Sequence, residues 1–417
     1  MLARIGAVLL AASVTLASTA QAKVPRQKTP MAPSAAPIHA PFTQSVDLHS
    51  HTFMDRAMAS WAFHGEFNGP IEATSWKHRY RSQINPETIG QSGLAVSVVA
   101  LYGHRLFHWD LREAVRRQIA DAEAFVKTNP EWVIAKTPMD AETALATGKR
   151  MLVFSLEGAD GILENEADLV EFVDQKGLRI VTPLHLTDDQ YGGVAFLRGI
   201  LVLASPWAFI KSLFSPIYAD GVRVNPNGLS ERGQWLINAL LKHQVWVDLS
   251  HASDAAQREI VPMLKAAKQP ILYTHTMLRA YHGAERGITT AQLQDVAYSG
   301  GIVGIMPSHM MMEGTPLPEG RAPECDGHIP ALAKQYNEMI DIVGPASVMF
   351  GTDFNGGVTR FSKDCPTHSR LDETGYVHAA HLPFVWEALA KNGGRTPPDL
   401  QVTARRFVDA WQAAYRR

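Results

Sequence analysis

The chain has 417 residues, 46% of them hydrophobic and 19% charged, with a formal net charge of −2 and only two cysteines. So even a charge balance provides no field that would favour nucleic acid or an anionic membrane, and two sulfurs with no Cys-x-x-Cys argue against a zinc–thiolate centre. The length admits either two domains or one β/α barrel with insertions.

Residues 1–22 read as a secretion signal. Arg4 supplies a positive start, Ile5 to Ala17 form an apolar run too short to span a bilayer, and Ala20-Gln21-Ala22 is a small–x–small cleavage pattern. The expected location is therefore secreted or periplasmic, with cleavage after Ala22 and no transmembrane span in the mature chain. Residues 23–44, rich in Pro, Ala, Lys and Gln, read as a flexible leader, and 45–417 as a single barrel domain.

Strand-like runs follow at 45–48, 94–101, 152–157, 180–185, 245–250, 271–275, 302–306 and 348–352. Most are continuous apolar and β-branched stretches, as expected of strands buried on both faces of a parallel sheet. Helical patterns lie between them. Asp110–Lys127 carries Leu111, Val115, Ile119, Ala122 and Val126 on one face, and Ser230–Lys242 starts at a cap and carries Leu236, Ile237, Leu240 and Leu241. Further helices are predicted at 253–268, 289–299, 328–343, 378–392 and 399–415. Eight strand–helix pairs favour a closed (β/α)8 TIM-type barrel with loop insertions. An open doubly wound sheet is the alternative, weakened because no GxGxxG follows the first strand.

Two features stand outside the repeat. Gly199–Phe214 (GILVLASPWAFIKSLF) is strongly apolar, and a buried insertion helix is the plain expectation, with a subunit interface in a homodimer or a lid as alternatives. Cys325 and Cys365 fall in loops after late strands. A disulfide between them is chemically allowed in an exported protein, and two free buried thiols are an equal alternative.

The chemistry gathers at strand ends. His49 and His51 close the first strand, two apart and so expected on one face; Glu157 ends the third, His251 and His275 follow the fifth and sixth, and Asp353 ends the eighth. An unpaired carboxylate at the end of an apolar strand is costly, so Glu157 needs a cation, and a bridge between two metal ions would satisfy both oxygens. An internal salt bridge to an arginine is its alternative. Imidazoles and carboxylates converging on one barrel mouth suit a divalent hydrolytic centre with an open position for water. Asp353 is placed to take a proton from that water and pass it to a leaving nitrogen. His185, at the end of the fourth strand, is expected near substrate, donating to a developing oxyanion. Arg286, in YHGAERG, is a candidate clamp for a substrate carboxylate.

Five stretches in order, SLEGAD (155–160), TPLHLTDD (182–189), GLSERG…VWVDLSHAS (228–253), PILYTHTMLRA (270–280) and FGTDFNGG (350–357), resemble the membrane (renal) dipeptidase family of the amidohydrolase superfamily. The resemblance implies a barrel with two zinc ions that cleaves dipeptides or related small amides by attack of a metal-bound hydroxide. It places His49 on the first ion, Glu157 between both, His251 and His275 on the second, Asp353 as the acid/base, and His185 and Arg286 on the substrate. The family has His-x-Asp at the first strand where this chain has His49-x-His51. That exchange makes the first site more positive, with consequences for bound water or metal preference. DLHSHT also resembles the opening motif of PHP-type phosphoesterases, but no matching continuation follows Thr52. A non-catalytic barrel that only binds is the third class, and retention of every expected acid, base and ligand argues against it.

Overall fold

The computed structural model describes residues 44–54, 83–105, 107–199, 205–214, 216–317, 319–321 and 323–415. The signal and leader expected over residues 1–43 lie outside that set. The strands are β1 (Ser45–Ser50), β2 (Leu94–Leu101), β3 (Trp132–Ile134), β4 (Arg150–Glu157), β5 (Leu178–Thr182), β6 (Ile217–Ala219), β7 (Val222–Val224), β8 (Trp246–Val247), β9 (Leu272–Thr276), β10 (Ile302–Ile305) and β11 (Val348–Phe350). Eight of them form a continuous parallel ladder in the order β8-β5-β4-β2-β1-β11-β10-β9. A parallel bridge between Asp248 and Leu272, with the Leu249 N–H donating to the Leu272 carbonyl at 2.9 Å, joins the two ends and closes the barrel. This is the (β/α)8 arrangement expected from the sequence.

Each barrel strand is buried along nearly its whole length, which is why its sequence runs apolar instead of alternating. In-register pairs such as Val96–Met151, Val98–Val153 and Ile180–Trp246 share one strand face and cluster with Val46, Leu272, Ile302 and Met349 against Phe407 and Trp411 of the helix Gln401–Tyr415. The other face, with Leu152, Phe154, Leu156, Val303 and Phe350, packs on the surrounding helices. Helices start where polar caps satisfy the free backbone N–H groups: Asp110, Ser230, Ser253 and Thr289 each accept from the residue three positions on. Each such cap contributes about 1 kcal/mol.

The structure departs from the sequence reading in four places. Trp132–Ile134 is an additional short strand that extends the sheet beside the start of β4. The fourth barrel strand ends at Thr182, so His185 stands on the loop beyond it. The fifth shortens to Trp246–Val247 because the Asp248 carboxylate, in place of a ladder carbonyl, takes the N–H groups of Ser250 and Thr274. The expected buried insertion helix is largely exposed. The helix Pro206–Phe214 turns Ala208 and Ser212 inward at helical spacing, sets half-buried Phe209 beside Phe196, and leaves Trp207, Ile210, Leu213 and Phe214 facing out. Among the described residues no helix is long and apolar enough to cross a membrane. Cys325 and Cys365 are joined as a disulfide between the loops that follow β10 and β11.

Candidate metal centre

The C-terminal ends of the barrel strands deliver their polar residues to one point. The β1–β2 register shifts between Asp47 and Ser50, so simple alternation breaks just where His49 and His51 leave the sheet. The end of β1 is strapped to the turn after β11: the Asp353 N–H donates to the His49 carbonyl at 2.9 Å, and the His51 N–H to the Phe354 carbonyl at 3.0 Å. Asp353 and Asn355 sit at φ 50° and 66°, a left-handed turn that swings the Asp353 carboxylate over the mouth. Gly356 is required there, because a Cβ would overlap that carboxylate. The buried Arg360 guanidinium ties this turn down, donating to the carbonyls of Thr352 (2.6 Å) and Asp353 (2.9 Å) and to Gln83.

Glu157 is the hub. Its Oε1 lies 3.3 Å from the Nε2 atoms of His49 and His251 and 3.5 Å from that of His275. Its Oε2 lies 3.3 Å from His51 Nε2 and 3.4 Å from His185 Nε2. Asp353 Oδ1 approaches His51 at 3.6 Å and His49 at 3.9 Å. Three sets of side chains have donor atoms close enough to share an ion: His49–Glu157–His275, His49–His51–Asp353 and Glu157–His185–His251.

Electrostatics and satisfaction both point to a cation. Burial alone would raise Glu157, but the surrounding imidazoles, His185 and His49 foremost, hold it well below the usual carboxylate range. Burial alone would lower His51, yet hydrogen bonds to Asp353 and Glu157 outweigh it and raise the imidazole to about 10. Two buried carboxylates thus draw a proton onto a histidine, the role a divalent ion fills better. Burial keeps His251 and His275 neutral, with Arg286 beside both. Their Nε2 atoms face each other at 2.9 Å, and His49 Nε2 is buried with no hydrogen-bond partner. Nitrogen donors left unmatched around a shared carboxylate are the donor set of zinc or a similar ion, so the residues fit such a group.

Around this hub lie the other residues singled out from sequence. Burial lowers His185 to about 4, so its imidazole is neutral at physiological pH. Arg286 is fully buried and pushed down to about 10 by burial, which leaves it charged. Its Nη2 donates to the His275 carbonyl at 2.9 Å and lies 3.3 Å from His251 Nε2, while its Nη1 has no partner. No predicted site residue falls away from the cluster. Several neighbours went unnoticed in the sequence. Tyr102 follows β2 at the position where other strands place ligands, with its ring 5.1 Å from that of His185 and 5.9 Å from that of His51. Asp47 and Asp248, each a few residues before a histidine of the cluster, are buried carboxylates beneath the centre. Asp-x-His at 47–49 and Asp-x-x-His at 248–251 were the available signal.

Comparison with known proteins adds to this geometry. Residues 206–372 match the family model of membrane dipeptidase, peptidase family M19. That span carries His251, His275, Arg286 and Asp353, while His49, His51, Glu157 and His185 come from the part before it. Among curated proteins, dipeptidase 3 from Macaca fascicularis is 22% identical over 164 residues, 39% of this chain and 30% of that protein. An uncharacterised protein of Acinetobacter calcoaceticus is 26% identical over 172 residues, 41% of this chain and 47% of its own. The chain therefore spans less than half the length of these relatives. Among solved structures, a metallopeptidase from Rhodobacter sphaeroides, liganded with a phosphinate mimic of the dipeptide L-Ala-D-Ala, superposes with a TM-score of 0.64 at 15% identity. That likeness covers 89% of this chain and 99% of the other. The dipeptidase AC of family M19 gives 0.62 at 15% identity over 90% and 99%. The probable dipeptidase PvdM from Pseudomonas aeruginosa gives 0.63 at 16% over 89% and 96%. These likenesses establish the barrel fold, and with the family match they bear out the resemblance read from the five motifs.

Proposed function

We propose that this chain, matched to the membrane dipeptidase family over residues 206–372, is a metal-dependent hydrolase of dipeptides or related small amides, holding two zinc ions at the barrel mouth. The observation that carries the reading is the single carboxylate of Glu157, whose two oxygens face five imidazoles brought in by three strand ends and one loop. His49, His51 and Glu157 would hold one ion, and Glu157, His251 and His275 the other. Bound there, the ions would supply Lewis acidity toward the scissile carbonyl and acidify water near neutral pH.

The remaining steps belong to the chain's own side chains. Asp353, positioned over the mouth by its left-handed turn and by Arg360, accepts the proton from the attacking water and returns it to the leaving amine. Neutral His185, 3.4 Å from Glu157 Oε2, donates a hydrogen bond to the oxygen on which negative charge develops. Arg286, with one buried Nη unpartnered, pairs with the C-terminal carboxylate of a short substrate and so favours dipeptides over proteins. We place the protein in an exported compartment, in keeping with the signal-like first 22 residues and with the disulfide, which persists under oxidising conditions.

The test is a hydrolysis screen over dipeptides with L- and D-residues and a β-lactam, with metal counted beforehand. The expected result is two equivalents of a divalent transition metal and turnover of at least one dipeptide that a chelator abolishes. A chain that takes up no metal, or that cleaves none of these amides when loaded with zinc, would overturn the reading.

A further inference from the structure

We infer that Thr274 and Asp248 form a hydroxyl–carboxylate relay that fixes His49 and His275 as Nδ1–H tautomers, leaving the Nε2 lone pair of each pointing into the centre. The inference rests on the proposed metal centre for its purpose, though not for its geometry. Neither Thr274 nor Asp248 reaches substrate or metal; both are positioning residues.

The argument is one of hydrogen-bond capacity. A threonine hydroxyl has one proton to donate and lone pairs to accept with. Asp248 is buried at the end of β8, and five donors surround it. Its Oδ1 accepts from the N–H groups of Thr274 (2.8 Å) and Ser250 (3.1 Å) and from the Ser250 hydroxyl (2.6 Å). Its Oδ2 accepts from the hydroxyls of Thr182 and Thr274, both at 2.6 Å. The Thr274 proton is therefore directed at Asp248. The same hydroxyl oxygen lies 2.9 Å from His275 Nδ1 and 3.3 Å from His49 Nδ1, and toward both it can only accept. Each Nδ1 must carry the hydrogen, so that in the neutral ring Nε2 is the bare nitrogen. His51 also carries its Nδ1 hydrogen, with that atom 3.1 Å from the Ala100 carbonyl, an obligate acceptor. One hydroxyl thus orients a ligand of each of the two proposed ions.

The relay has a polarity that can be reversed. In Asp248→Asn the amide oxygen is held on the Oδ1 side by two backbone N–H groups, so the amide nitrogen falls on the Oδ2 side, facing Thr274. It would donate to the hydroxyl, turning the Thr274 proton toward an imidazole and favouring the wrong tautomer. Thr274→Val removes the acceptor while keeping the side-chain shape. Thr274→Ser retains it.

The experiment uses the full chain. Zinc affinity is measured by competition with a chromophoric chelator, and the histidine tautomers by ¹⁵N–¹H correlation spectra of metal-free protein at alkaline pH. Thr274→Val and Asp248→Asn should each weaken both zinc-binding steps, by about 10–100-fold as for other partners of metal-ligating histidines, and shift His49 and His275 away from Nδ1–H. Thr274→Ser should stay near wild type in both readouts. Wild-type affinity at both sites in Thr274→Val, or Nε2–H tautomers in the wild-type spectrum, would overturn the relay. Should the wild-type chain bind no zinc, the dipeptidase reading fails, and the tautomer spectrum alone still decides the inference. If Thr274→Val does not fold, Asp248→Asn against Thr274→Ser makes the same comparison.

Discussion

The barrel mouth and the 205–219 insertion break the same rule in opposite directions. At the mouth Glu157, Asp353, Asp47, Asp248, Arg286 and four histidines lie buried in a region walled by apolar strands. On the insertion Trp207, Phe214 and Tyr218 stand 64%, 87% and 57% exposed, with Ile210, Leu213 and Ile217 beside them. Buried charge costs several kcal/mol per ion unless paired, whereas exposed apolar side chains forgo stabilisation without penalising the fold. The mouth is accordingly dense with hydrogen bonds and its geometry is over-determined, while the insertion helix buries only Ala208 and Ser212 and adds half-buried Phe209, beside Phe196, and a Lys211–Asn227 hydrogen bond. The difference teaches where substitution should act on chemistry and where it should not.

The comparison breaks most sharply if the mouth holds no cation. Glu157→Ala should lose both metal equivalents and all measurable turnover, since it removes the one ligand common to the proposed ions. His251→Ala or His275→Ala should lose one equivalent and nearly all turnover. Full metal content in any of these variants, measured by plasma emission on folded protein, contradicts the centre as drawn. Asp353→Asn comes next: both ions stay, and kcat falls by about 10²–10⁴, the usual share of general acid–base catalysis. An Asp353→Asn enzyme as fast as wild type would remove Asp353 from proton transfer.

The mouth was also the part most legible in the sequence, for a physical reason. Each candidate ligand closes or follows a run of apolar residues, and polarity at such a boundary stands out against a strand that needs none; this holds for Glu157 after Leu152–Leu156 and for His275 after Ile271–Thr274. The supporting shell was illegible because Thr274 and Thr182 are ordinary strand residues by propensity, and only their approach to Asp248 gives them a role. The turn after the eighth barrel strand is held by Asp353 at positive φ, by Gly356 beside its carboxylate and by Arg360 seven residues on, and that last contact has no local sequence signal. The insertion misled for the opposite reason. Apolar composition normally signals burial, and nothing in GILVLASPWAFIKSLF says that Ala208 and Ser212, not Trp207 and Phe214, face the body.

Arg286 and the disulfide sharpen the comparison at its edges. Arg286→Met should raise KM for free dipeptides by about 10–100-fold, the scale of one lost charge-assisted pair, and much less for dipeptides with an amidated C-terminus. Equal changes for the two substrate series would reject the clamp. Cys325–Cys365 spans the loops after β10 and β11, and Asp353 stands at the base of the second. Paired Cys→Ser substitution should destabilise the fold by about 3–4 kcal/mol on the chain-entropy account of a loop this long, read as a lower midpoint in denaturant. The zinc stoichiometry should be unchanged, because neither cysteine approaches the ligand cluster. Loss of metal in the Cys→Ser protein would mean that the loops, and not the strand ends alone, hold the centre together.

The smallest effect is expected on the insertion. Trp207→Ser with Phe214→Ser replaces two exposed side chains that make no hydrogen bond to the mouth and belong to neither buried cluster. Stability should move by no more than about 0.5 kcal/mol, the ordinary range for surface changes, and kcat/KM for dipeptides should stay within twofold. Retention on a phenyl column should drop, because the largest exposed apolar side chains of the segment are gone. A large fall in kcat/KM with retained folding would show that the insertion reaches the substrate and acts as a lid. In that event the two regions are parts of one machine, and the exposure of Trp207 and Phe214 describes the open form of a site that closes over Glu157.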